Sequence, residues 1–113
     1  ITLYSLVVIT VAVTGFQALG DDSFNCHNYA WESQRRWLDD PAPYIAAATE
    51  CNAEQATHVV YFEGDKPIHS GRYMGAGWVR SKWGSNPVVV HPLYLSTYGF
   101  DVKFYAYEPR LSR

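Results

Sequence analysis

The chain has 113 residues, 48% of them hydrophobic, which is enough for one compact domain with its own core and too little for two. Nine basic residues against eleven acidic ones leave a net charge of -2, which excludes a nucleic-acid footprint and a polybasic membrane patch. Two cysteines, Cys26 and Cys51, rule out a disulfide-dense miniature scaffold and leave a single Cys26–Cys51 bridge as an open alternative.

Residues 1–20 open the chain with an apolar segment. Leu3 to Phe16 is rich in Val, Ile, Leu and Thr, and its length is that of the apolar part of a signal peptide. It is shorter than the ~20 residues of a membrane-spanning helix, and no membrane span is expected. Its β-branched content predicts a buried strand with a break at Thr14-Gly15. Neither Met nor a basic residue precedes it, so the expectation is a processed or excised domain.

Gly20-Asp21-Asp22-Ser23 then supplies a turn and a helix cap, and Cys26 to Leu38 reads as a helix stopped by Asp39-Asp40-Pro41-Ala42-Pro43. Cys26, Ala30 and Trp37 share one face of it. The Ala-rich piece Tyr44 to Thr49 predicts a short second helix, and Cys51 to Gln55 a polar connection. Short strands follow at Thr57–Phe62, Pro67–Tyr73, Trp78–Trp83, Val88–His91 and Asp101–Tyr107, separated by turns at Gly64, Gly75-Ala76-Gly77 and Gly84-Ser85-Asn86-Pro87. A helix followed by an antiparallel meander predicts an α+β fold, with the Cys26 helix lying across a sheet of about five strands.

A cysteine at a helix start has a physical reason to react, because unpaired N–H groups and the positive dipole end favour thiolate over thiol. Acyl transfer by a thiol also needs an imidazole to take its proton and a polar group to orient that imidazole. His27, His58, His69 and His91 are the available imidazoles. No CxxC, HxxxH or HExxH spacing, no phosphate-cradling Gly-rich loop and no GxSxG elbow is present, so chemistry without metal or cofactor is expected.

Asn25-Cys26-His27-Asn28-Tyr29-Ala30-Trp31, the apolar strand Val59–Phe62, Ile68-His69-Ser70-Gly71-Arg72-Tyr73-Met74-Gly75 and Trp78-Val79-Arg80-Ser81-Lys82-Trp83-Gly84 together resemble the papain-like NlpC and CHAP cell-wall hydrolase superfamily. The resemblance covers residues 23 to 91. It implies a single papain-like domain over 1–113 with its catalytic core at 23–110. It further implies Cys26 as nucleophile and His69 as general base, with His58 competing for that role.

The third, orienting position falls near Ser81, a departure from the His, Asn, Gln or acid usual in the family, and His91 can fill it from the adjacent strand. His27, which points about 100° from Cys26 on an ideal helix, together with Tyr29, Trp31, Ser81 and Trp83, is placed along a substrate cleft. The backbone N–H of Cys26 is a better oxyanion donor than Tyr29.

By the same resemblance the substrate is a peptidoglycan stem peptide or its amide link, an inhibitor or immunity protein is a partner, and the protein is secreted or delivered to the cell envelope. The alternative is a non-catalytic secreted binding or toxin-like module held by a Cys26–Cys51 bridge.

Overall fold

The computed structural model describes residues 21–94 and 101–109; the strand predicted within residues 1–20 lies outside them. The described chain is a small β-rich domain. Six antiparallel strands form one sheet: β1 (Thr49–Cys51), β2 (His58–Glu63), β3 (Lys66–Gly75), β4 (Trp78–Lys82), β5 (Val88–Pro92) and β6 (Val102–Ala106), in the spatial order β1-β6-β2-β3-β4-β5. Two six-residue helices, α1 (Cys26–Trp31) and α2 (Ala42–Ala47), and a 3₁₀ turn at Ala53–Gln55 complete it. The papain-like α+β architecture with a long N-terminal helix on a five-stranded sheet is therefore corrected: the sheet dominates, and neither helix is long enough to form a layer.

The helix predicted to run to Leu38 stops at Trp31 for a local reason. Asn25 caps α1 by accepting from the Asn28 N–H at 3.1 Å. The same Asn25 side chain accepts from the Leu38 N–H at 3.1 Å and donates to the Leu38 carbonyl at 2.8 Å. This two-bond clamp folds residues 33–38 back beside the helix start. Asn28 Nδ2 then donates to Glu32 Oε1 and the Gln34 carbonyl, both at 2.8 Å, fixing the reversal. Two asparagines thus compete with the helix for backbone groups.

Strands β2 to β5 occur within about two residues of their predicted spans and pair as successive antiparallel neighbours. Glycine turns make these hairpins possible. At the β3–β4 turn Gly75, Ala76 and Gly77 all have positive φ (90°, 54° and 85°), and two of the three positions carry no Cβ to strain. The meander breaks at the last strand, since β6 inserts between β1 and β2 instead of following β5. β1 takes Thr49, expected as the end of the second helix, and Cys51, expected to open a polar connection.

Alternation along the strands creates two buried faces. The face under α1 carries Val60 and Tyr105, packed with Ala30 and Trp31 of the helix. The opposite face carries Val59, Tyr61 and Val79, packed with Leu93. Successive strand residues point to opposite faces, so the ladder register decides which polar side chains meet.

Candidate functional site

α1 lies over β3 and β4 and is tied to one sheet face by side chains. Arg72 donates to the Tyr29 carbonyl through Nε (2.9 Å) and Nη2 (2.6 Å), with its guanidinium 4.1 Å from the centre of the Tyr29 ring. Trp31 stacks on His58, ring centroids 4.3 Å apart at 18°.

His58 is fully engaged: its Nε2 donates to the Ala30 carbonyl at 2.6 Å and its Nδ1 pairs with Thr57 Oγ1 at 2.8 Å. Burial lowers it to about 4 against the pull of the Ala30 carbonyl. It is a neutral imidazole that fastens the helix end to β2.

The start of α1 is a polar cluster centred on Ser70. His27 Nδ1 lies 2.7 Å from Ser70 Oγ, and Trp31 Nε1 donates to the same oxygen at 3.1 Å. Burial lowers His27 to about 4, although Asp40, the Pro67 carbonyl and Asp39 pull the other way.

Cys26 is 9% exposed and unbridged. Burial pushes its thiol up, outweighing the amide N–H groups of Ser70, His27 and Cys26 itself and the charge of Lys82. The helix-start argument for a low thiol therefore fails energetically, because a six-residue helix has few aligned dipoles and the site excludes water.

Lys82 ends β4. It is 1% exposed. Its ammonium donates to the Asp21 carbonyl and, at 2.5 Å, to the Gly84 carbonyl, and lies 4.6 Å from the centre of the Phe24 ring. It ties the segment before α1 to the β4–β5 turn.

The remaining predicted site residues gather on the other side of the sheet. Tyr61 pairs with His69 and Val79 with His91, so both histidines point away from α1, with ring centroids 6.5 Å apart. Burial holds His69 well below its ordinary range, with His91 and His27 adding to the effect, and burial lowers His91 as well.

His91 Nδ1 donates to the Pro92 carbonyl at 2.8 Å, so its Nε2 accepts from the Ser81 hydroxyl, also at 2.8 Å. Trp83 Nε1 donates to Ser81 Oγ at 3.1 Å. The domain thus holds two Trp–Ser–His relays, one on each face. Their serines, Ser70 and Ser81, were invisible as a pair because neither relay is contiguous in sequence.

No family model, curated protein or solved structure matches the chain. Function therefore has to be argued from the placement of the residues. Cys26, His27, Tyr29, Trp31 and His58 come together on the helix face; His69, Ser81, Trp83 and His91 come together on the other. Cys26 and its proposed base His69 are separated by the sheet.

Nor are Cys26 and Cys51 brought together. Cys51 pairs with Phe104 and shares the far face. β1 also stands three strand spacings from β3, about 14 Å, against the ~7 Å limit between bridged Cα atoms. Among the described residues no group of three His, Cys, Asp or Glu side chains is placed to hold a metal, and no helix is long and apolar enough to cross a membrane.

Proposed function

We propose that the domain is a slow thiol-dependent amide hydrolase or acyltransferase in which Cys26 is the nucleophile and His27, in place of His69, accepts its proton. One observation carries this reading: Ser70 neighbours both groups, its hydroxyl 2.7 Å from the His27 ring and its backbone among the groups that counter the burial of the Cys26 thiol.

With the thiol pushed up by burial, no resting thiolate–imidazolium pair is stable, so the proton leaves as sulfur attacks the carbonyl. His27 is neutral at pH 7, and its Nδ1 takes a proton from the Ser70 hydroxyl 2.7 Å away as that hydroxyl receives the proton of the thiol. The imidazolium then protonates the leaving amine, and water or a second amine releases the acyl group from the thioester. A raised thiol and a lowered base both slow this chemistry. The residue resemblance at Cys26–Trp31 favours a peptide or peptidoglycan amide as substrate.

Release of amine from purified peptidoglycan tests the proposal. Wild type releases amine, Cys26→Ala releases none, and His27→Gln lowers kcat while keeping the far-ultraviolet circular dichroism of the fold. Full activity in Cys26→Ala overturns the mechanism.

The low exposure and raised thiol of Cys26 favour a second reading, a non-catalytic binding module without the bridge. That reading predicts no turnover in the wild type.

A further inference from the structure

A cleft of about 350 Å³ opens beside the far end of α1, away from Cys26, which does not line it. Its size lies within the range of small-ligand sites, roughly 300–1,000 Å³. Its apolar wall is an aromatic cluster built from three separate segments. Trp31 stacks on Tyr44 with centroids 6.3 Å apart at 19°. Tyr107 meets Trp31 edge-on at 5.1 Å and Tyr44 at 6.2 Å. Trp31 is buried, whereas Tyr44 and Tyr107 are half-buried and keep surface toward the cleft.

The polar rim is Glu32, Gln34 and Arg36. Arg36 meets Glu32 in a two-bond pair at 2.7 and 2.6 Å, and the Tyr44 hydroxyl donates to the same carboxylate. Arg36, Tyr44 and Asn28 hold Glu32 at about 2 against its burial, so it stays ionised. The charges of Glu32 and Arg36 cancel within the protein.

We infer that this cleft binds a neutral saccharide. Tyr44 and Tyr107 offer ring surface for the C–H face of a sugar, and Trp31, stacked against both His58 and Tyr44, backs them. The exposed Gln34 amide and the N–H groups of Arg36 not turned to Glu32 are suited to hydroxyl groups, while Glu32 is fully engaged by Arg36, Tyr44 and Asn28 and holds the rim in place. No uncompensated charge is left on the rim to select a carboxylate or an ammonium group. The inference stands apart from any chemistry at Cys26: Trp31 alone touches both sites, through its N–H to Ser70 and its ring behind the cleft, and the variants below leave it unchanged.

Titration calorimetry with triacetylchitotriose and maltotriose, with trialanine as comparator, tests it on the full chain. At least one trisaccharide binds in the millimolar range, and Tyr107→Ala weakens that binding roughly tenfold. Gln34→Ala, at an exposed position, weakens it too and serves if Tyr107→Ala fails to fold. Cys26→Ala binds as the wild type does. Absence of binding by both trisaccharides at about 10 mM, equal binding of trialanine, or unchanged affinity in the folded rim and wall variants overturns the inference.

Discussion

Tyr61 stands opposite His69 in the β2–β3 ladder, and that register position carries the His69 imidazole to the sheet face away from Cys26. Its neighbour Ser70, one residue on, faces α1, where its hydroxyl pairs with His27 Nδ1 and accepts from Trp31 Nε1. A one-residue step along a strand exchanges the two faces. The same step separates a serine that meets the thiol cluster from a histidine that meets His91.

The two thiols are expected to react in separate phases with iodoacetamide. Cys51, half-buried on the edge strand β1, reacts first, and Cys51→Ser removes that phase. Cys26 reacts slowly at pH 7, and its rate is still climbing above pH 9.0, because burial raises its thiol from that value. A Cys26 rate that levels off below pH 8 contradicts the burial argument.

Acid should weaken the fold through the histidines before the carboxylates contribute. His27 and His58 are held at about 4 instead of 6.5, so the unfolded chain binds protons that the fold resists. Their stabilisation is fully present above pH 6.5 and is lost as pH falls toward 4, by up to about 3 kcal/mol for each. His69 and His91 shift in the same direction. Glu32, lowered to about 2, acts only below about pH 4.5. Urea midpoints measured between pH 7 and 4.5 should therefore fall steadily; a flat profile in that window refutes this assignment.

Ser70→Ala removes the oxygen shared by His27 and Trp31 and leaves two buried ring nitrogens without it. The expected cost is about 1–3 kcal/mol. Ser81→Ala breaks the equivalent relay on the other face and should cost a similar amount, whereas only Ser70→Ala should alter amine release. Urea unfolding of both variants beside the amine assay separates a structural serine from one coupled to the thiol.

Gly71→Ala meets a direct obstruction. A Cβ at this position would lie 2.4 Å from Val79 Cγ1 and 3.3 Å from Ser81 Cβ, inside the buried far face. The loss should be about 1–3 kcal/mol. Pairing it with Val79→Ala removes the clash, so the double variant should be more stable than the sum of the two single losses predicts. Strict additivity in denaturant midpoints would show that β3 and β4 simply move apart.

Local sequence chemistry was sufficient to find much of the scaffold. The start of α1 at Cys26 and strands β2 to β5 follow from β-branched runs and turn residues, which act over a few neighbouring positions, although the cap is Asn25 and not the Asp21-Asp22-Ser23 run expected to supply it. The length of α1 did not follow, because its end depends on Asn25 reaching thirteen residues ahead to Leu38. β1 was missed for a related reason: three residues, Thr49–Cys51, acquire strand geometry only by pairing with β6.

The composition of the site was open to reading, and its grouping was not. Sequence alone marked Cys26 and the four histidines as the residues with chemistry. It could not assign them to faces, since period-two alternation makes neighbours such as His69 and Ser70 point oppositely and only the ladder register says which side meets α1. Nor could it reveal that Lys82 is buried or that Tyr44 and Tyr107 join Trp31 in one cleft. Those groupings exist because distant segments close over the sheet, and burial then sets both the thiol and the imidazoles away from their ordinary proton affinities.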